Sequence, residues 1–335
     1  MKVFKKVLII VLSVILVAVT GIFALWHNEI ATVASITTII DQDLSHDDGY
    51  TYEMNVSGEY YFDDFLKQGG VSSDEELIQF ITGNITKGVI PMTIQTKEIA
   101  CSSFTAWTED QQFVFGRNYD FDETNTAIVH TNPKGRHASV STIDLQFLGI
   151  DEKNGITGIK EKALLLAAPY IPLDGINDAG VACGIYMTYQ GDPTIPTNQN
   201  TEKPDITSTT LLRLILDYAD NVEEAIELAS QYDMHDSAGT SYHYMVADKE
   251  GNSAVLEWAG NSDVTDNDGS QREFKVTRNT QPYQVVTNFI LQSDYYPSMD
   301  EAKGYDRYAF ITDKLAPTDG IIENEQAAMD ILQGV

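Results

Sequence analysis

Residues 99–121 read "IACSSFTAWTEDQQFVFGRNYDF", and the reading of this stretch decides the fold. "CSSFTAW" and "QFVFGRN" are rich in aromatic and β-favouring residues and are separated by the polar Thr108-Glu109-Asp110-Gln111, the pattern of two strands joined by a turn. Cys101 opens the first strand. Arg117 follows sixteen residues later and Asp120 nineteen, in the run Gly116-Arg117-Asn118-x-Asp120.

Downstream, "ASVSTIDLQFL", "KALLLAA" and "GVACGIYMTY" read as further strands, with polar or Gly/Pro punctuation between them. "STTLLRLILDYAD" and "NVEEAIELASQY" then place apolar residues at helical spacing, the second entered through Asp220-Asn221, a capping pair. Strands resume in "YHYMVADKEGNSAVLEWAG", whose arms meet at Lys249-Glu250-Gly251-Asn252, and in "PYQVVTNFI". Helices over "YDRYAFITDKL" and "NEQAAMDILQG" close the chain. Strands, then helices, then strands make an α+β layered domain rather than a regular βαβ alternation.

Upstream of Cys101, "SDEELIQFITG" pairs Ser73 with Glu76 as a capping box, lines up Leu77, Ile78 and Ile81, and stops at Gly83. This predicts a folded helix, and the aromatics of "GEYYFDDFL" need a surface to bury them, so residues 27–100 form a stem or propeptide packed on the domain downstream. Residues 1–26 differ. Lys2, Lys5 and Lys6 precede an uncharged run from Val7 to Trp26, long enough for a bilayer. An uncleaved signal anchor fits better than a signal peptide, because Ile22-Phe23-Ala24 is a poor cleavage site. Either reading puts the remainder outside the membrane, tethered or secreted.

The 335 residues are 43% hydrophobic, enough for a substantial core, and 50 acidic against 21 basic residues give a net charge of −29. That charge disfavours nucleic acid partners. His-Glu-x-x-His and paired Cys-x-x-Cys patterns are absent, so neither metal nor cofactor is expected, and the acidic runs "DQDLSHDDG" and "DVTDNDGSQ" read as solvated loops, not calcium loops. Cys101 and Cys183 are the two cysteines. One disulfide between them is feasible in an exported protein, but two unpaired thiols are the preferred reading, with Cys183 as core filler.

A strand-opening cysteine, Gly116-Arg117-Asn118-x-Asp120, the turn "DGINDAG" (174–180) before a strand, and Thr287-Asn288 ending another occur here in order. Together they resemble the choloylglycine hydrolase family of N-terminal nucleophile hydrolases, which includes conjugated bile acid hydrolases, penicillin V acylases and N-acylethanolamine acid amidases. The resemblance runs from about residue 100 to about residue 315. It implies a four-layer αββα sandwich of two antiparallel sheets over residues 101–335, and hydrolysis of a small-molecule linear N-acyl amide. Relatives carry further strands beyond the last helix, and this chain is expected to lack them. Whether the protein self-associates stays open.

The resemblance further implies that Cys101 becomes an N-terminal residue by cleavage between Ala100 and Cys101, so that its own α-amine is the base. The chemistry is sound: such an amine titrates at about 7.7–8.0, so it takes the thiol proton and returns it to the leaving amine. Self-cleavage is preferred to signal peptidase, since no apolar run precedes Ala100. Arg117 is expected to favour the thiolate, Asp120 to hold the α-amine, the Asn288 amide and a backbone N–H at Met187 to bind the oxyanion, and Arg307 to lie nearby. Residues three apart on a strand face opposite ways, so Arg117 and Asp120 both reach Cys101 only if the chain bends after Gly116. Two readings compete: a catalytically dead binding domain on the same scaffold, and a hydrolase using His243 as base.

Overall fold

The computed structural model describes residues 2–43, 49–88, 100–120, 124–150, 153–190, 194–260, 268–293 and 295–335. The acidic runs near residues 44–48 and 261–267, and the segment 89–99 leading to the expected cleavage point, lie outside them.

Before Cys101 come helix α1 (Lys2–Ser35), strands β1 (Thr37–Ile40) and β2 (Thr51–Asn55), and helices α2 (Phe62–Lys67) and α3 (Asp74–Asn84). The hairpin comes next as β3 (Ala100–Thr108) and β4 (Phe113–Asp120), then β5 (Thr126–Thr131), β6 (Ser139–Asp144) and helix α4 (Ile159–Leu164). The centre of the chain holds β7 (Asp174–Asn177), β8 (Ala182–Thr188), β9 (Asp205–Thr207), α5 (Ser208–Tyr218), α6 (Val222–Ser230) and β10 (Asp233–His235). It ends with β11 (Ser241–Ala247), β12 (Ser253–Ala259), β13 (Glu273–Arg278), β14 (Gln284–Val286), α7 (Tyr305–Leu315), β15 (Ile321–Ile322) and α8 (Glu325–Leu332).

This is a mixed α and β fold built, among the described residues, on two main sheets, with β9 and β10 as a separate two-stranded parallel pair. The larger runs β1-β2-β5-β6-β7-β8-β11-β12-β13, and the smaller places β3 between β14 and β15 with β4 also paired to β3. Cys101, Tyr186, Met245, Val255 and Val286 form a small core where the sheets meet. Helix α5 packs on β7 and β8, α6 on β11 and β12, and α7 and α8 on the smaller sheet, so the layers run helix, sheet, sheet, helix. The pairing is not wholly antiparallel as expected: β2 lies parallel to β5, and β15 parallel to β3.

Most local readings follow from local chemistry. Ser73 caps α3 by accepting the Glu76 N–H, and Leu77, Phe80 and Ile81 are its buried face. The Glu76 carboxylate binds the Ser72 N–H instead of closing the box on Ser73, and the helix passes Gly83 to end at Asn84. Asn221 caps α6, and Gly251 supplies the left-handed turn (φ 89°) joining β11 to β12. "KALLLAA" is a correction: it lies in α4 and the 3-10 helix Leu165–Tyr170, because Ala and Leu favour helix where the run lacks the β-branched residues of a strand.

The region before Cys101 is built into the domain. Strand β2 extends the large sheet, and Tyr60, Phe62, Phe65, Leu77 and Phe80 share one buried core with Tyr170, Leu211 and Ile215. A buried polar cluster adds to this join: the Tyr60 hydroxyl donates to both Asp217 carboxylate oxygens (2.6 and 2.7 Å), and Arg136 bridges Asp217 (2.8 Å) and Glu59 (2.5 Å). In α1, Phe4, Leu16, Val17 and Leu25 are exposed. Among the described residues, no helix is long and apolar enough to cross a membrane.

Candidate active site

Strand alternation sets up the site. Cys101 pairs with Tyr119 and Ser103 with Arg117, so Cys101, Arg117 and Tyr119 share the face of the hairpin turned toward the large sheet. The Cys101 side chain is buried, and Arg117 Nη2 lies 3.9 Å from its sulfur. The guanidinium is locked: Nη1 donates to the Leu173 carbonyl (2.7 Å), Nη2 to the Ile185 carbonyl (2.7 Å), and Nε lies 3.3 Å from Asp174 Oδ2. Tyr186 stacks on it at 4.6 Å and donates its hydroxyl to Ser103 (2.6 Å).

Two residues far along the chain hold the Cys101 backbone. Asn288 Oδ1 accepts the Cys101 N–H at 3.0 Å, and Arg307, in the first turn of α7, donates to the Cys101 carbonyl, to Ser102 Oγ (2.7 Å) and to Asn288 Oδ1 (2.6 Å). Arg307, Asn288, Arg117 and Met187 are therefore gathered at Cys101. The Asn288 amide nitrogen donates to the Met187 carbonyl (2.8 Å), which ties the two residues together.

The expected bend after Gly116 does not occur. Register continues from Trp107–Phe113 to Ala100–Asp120, which puts Asp120 opposite Ala100 on the face carrying Ser102 and Arg307. Asp120 is thus beside the Ala100–Cys101 link, on the face opposite the Arg117 guanidinium. Removal from water raises its carboxyl pKa, and Arg307 works against that.

Burial likewise dominates at the nucleophile. It pushes the Cys101 thiol up to about 11; Arg117 and Arg307 pull down, while Asp120 and Asp174 push up. Arg117 alone does not produce a thiolate at neutral pH. Both cysteines are unpaired, and burial lifts Cys183, inside the large core, to about 12. His243 is fully buried, with Nδ1 3.0 Å from Glu257 Oε1 and Nε2 2.8 Å from the Thr287 carbonyl. Both its nitrogens face partners other than the sulfur, which removes the basis for treating it as the base.

Sequence alone does not single out Asp174, Tyr186 or Gly184. Asp174 opens the "DGINDAG" turn, so its position is visible there, but its role as partner of Arg117 needs the fold.

A family model described as "Linear amide C-N hydrolases, choloylglycine hydrolase family" matches residues 101–291, beginning at the cysteine that Arg117, Asn288 and Arg307 surround. The chain belongs to that family. Solved structures similar to it include a variant of the conjugated bile acid hydrolase from Clostridium perfringens (16% identity, 64% of this chain and 57% of that one, TM-score 0.38). Penicillin V acylase from Agrobacterium tumefaciens matches at 14% identity over 72% and 65% of the two chains, TM-score 0.37. A Caenorhabditis elegans ortholog of N-acylethanolamine-hydrolyzing acid amidase matches at 16% over 69% and 85%, TM-score 0.42. This chain spans less than two thirds of the first two. No curated protein matches it.

Proposed function

We propose that this chain is an extracytoplasmic amidohydrolase that cleaves linear N-acyl amides with Cys101 as nucleophile, after the Ala100–Cys101 bond is cut. The observation that carries this is the grip on the Cys101 backbone: its nitrogen sits 3.0 Å from Asn288 Oδ1, so an amine freed there stays beside its own sulfur. That amine takes the thiol proton, the sulfur attacks the acyl carbon, and the leaving amine takes the proton back. Water then hydrolyses the acyl-thioester. In the joined chain the backbone nitrogen is an amide and carries no basic lone pair, which agrees with the high thiol pKa and describes a dormant precursor.

On this reading the helix–sheet–sheet–helix layering is the four-layer N-terminal nucleophile sandwich, residues 101–335 are the catalytic domain, and residues 27–100 remain as a bound partner segment. Strand β2 and the Tyr60–Asp217 contact support that retention. Once Cys101 is N-terminal, Asp120 at the end of β4 receives the α-ammonium, and the Asn288 amide with the backbone at Met187 turns to the oxyanion. Lys2, Lys5 and Lys6 ahead of the uncharged Val7–Trp26 run support an outward-facing domain, tethered or secreted.

The test is Edman sequencing and intact mass of purified protein, alongside a panel of conjugated bile acids, penicillin V, N-acyl homoserine lactones and N-acylethanolamines. Active material should begin at Cys101, and Cys101→Ala should be neither cut nor active. Activity in material whose residue 101 is still joined upstream overturns the mechanism. Efficient cutting of Cys101→Ala overturns self-cleavage alone.

A further inference from the structure

The apolar run that opens the chain passes without a break into the folded domain, and a groove lies where the two meet. Helix α1 is one helix from Lys2 to Ser35, and its last turns are fastened to the domain. Thr32 Oγ1 accepts the Ser57 N–H (2.8 Å), Ser35 Oγ accepts the Asn55 N–H (2.9 Å), and Ile36 is buried. Trp26, Ile30 and Val33 of this end form one wall of the groove, and Ile159, Ala163 and Leu166 form the other. Its volume is ≈ 410 Å³. An apolar cavity of about 150 Å³ already takes a benzene-sized molecule, so this groove has room for a hydrocarbon chain. Glu29, on the first wall, is paired with Lys87, which also lies 4.6 Å over the Trp26 ring. Lys162, on the second, donates to the Ile36 carbonyl at 3.0 Å, a bond that uses one of its three donors.

The neighbourhood of the groove says what fills it. Val7, Leu8, Ile9, Ile10, Val11 and Leu12 are consecutive apolar residues, and all are exposed. At about 3.6 residues per turn they go more than once round the helix. A protein partner covers one stripe of a helix, whereas a bilayer is apolar on every side. Exposure continues into the groove itself: Ile30 on one wall is 43% exposed and Ile159 on the other 73%. With Leu25 at the edge of the hydrocarbon core, Ile30 stands about 7 Å further along the axis, close to the depth of one headgroup layer. Trp26 then occupies the boundary where indole rings settle. The groove therefore opens where lipid chains end and phosphates begin, with an apolar lining and a lysine on its wall.

Resting on the reading of residues 1–26 as a lipid anchor, and not on the chemistry of Cys101, we propose that this groove binds one phospholipid of the surrounding leaflet, with an acyl chain between α1 and α4 and the phosphate on Lys162. The bound chain covers Ile30 and Ile159 and removes them from water. Because α1 is unbroken and fastened to the domain, the captured lipid also fixes which face of the domain rests on the membrane.

The test uses the full chain in vesicles of palmitoyl-oleoyl phosphatidylcholine, with and without a brominated phosphatidylcholine. Trp26 emission, taken as the part lost in Trp26→Phe, should be quenched by the brominated chains. Released into mild detergent, wild type should carry one phospholipid per chain by native mass spectrometry. Ala34→Phe and Ala163→Phe put a ring into the groove and should each lower that adduct by about tenfold. Lys162→Met, which removes the phosphate's partner, should lower it by about tenfold as well. Val14→Phe, on the exposed run away from the groove, should leave it unchanged. An adduct that persists in both groove variants, or falls equally in Val14→Phe, overturns the proposal while the anchor reading stands. A fatty acid in place of the phospholipid, or a lipid-free dimer, overturns it in the same way. If the chain neither floats with the vesicles nor shows quenching, the anchor reading fails and the proposal with it. Should Ala163→Phe not fold, Ala34→Phe carries the comparison, since Ala34 is exposed.

Discussion

Gly184→Ala is the sharpest probe of how Arg117 is held. A Cβ at Gly184 would lie 2.1 Å from Arg117 Nη1 and 2.9 Å from the Tyr186 hydroxyl. Ordinary contact begins at about 3.4 Å, so the guanidinium must retreat by about 1.3 Å, the difference between that distance and 2.1 Å. Strand β8 cannot yield instead, because it is paired with β7 on one side and β11 on the other. Retreat breaks the two 2.7 Å bonds to Leu173 and Ile185. Each such bond from a charged donor is worth about 1.5–3 kcal/mol, so a loss of several kcal/mol in stability is expected. Displacement by about 1 Å near a reacting centre costs on the order of 10²-fold in rate, so kcat should fall by about that factor with KM moving less. The assay is kcat and KM on correctly processed protein, together with thermal or urea denaturation. Gly83→Ala is the control: nothing lies within 4 Å of its added Cβ, and its position in α3 should make alanine stabilising by about 0.5–1 kcal/mol. If Gly184→Ala keeps kcat within about threefold and melts like wild type, Gly184 is not there to admit Arg117.

Uncut protein, with its Cys101 thiol at about 11, should be about one part in a thousand thiolate at pH 8, so iodoacetamide labelling should be slow there, rise with pH toward 11, and speed up sharply at neutral pH after cleavage frees the α-amine. A rapid reaction at pH 7 before cutting would contradict the dominance of burial. The piece ending at residue 100 should co-elute with the catalytic piece in gel filtration after cleavage, and Tyr60→Phe, which removes the hydroxyl on Asp217, should weaken their association by about 1–3 kcal/mol; separation of the pieces in mild buffer would refute retention. His243→Gln should lower stability by about 1–3 kcal/mol, through the altered bond to buried Glu257, which keeps its bonds from the Leu291 N–H and Gln292, while processed enzyme keeps most of its turnover; a loss of several orders of magnitude in a folded variant would restore the histidine as base.

Apart from the family resemblance carried by motifs in order, what could be learned from the chain alone was whatever is written within a few residues. The Ser73 and Asn221 caps, the helical stripe of α3, the Gly251 turn and the β3–β4 hairpin all depend on neighbours in sequence, and each is recognisable without the fold. The interval of sixteen between Cys101 and Arg117 belongs to the same class, because a hairpin with its turn near residue 110 brings those positions to one face. The local signal misleads at "KALLLAA", where an apolar run too short to show its period reads as a strand. No local pattern places Asn288 and Arg307, 187 and 206 positions from Cys101, at its backbone; the resemblance anticipates them near the site, and the tertiary structure supplies the contacts. It also decided that α4 faces α1 across a groove, that Gly184 makes room for Arg117, and that β2 lies in the same sheet as β5. Those contacts depend on how sheets and helices stack, which hydrophobic periodicity constrains only by face and never by partner.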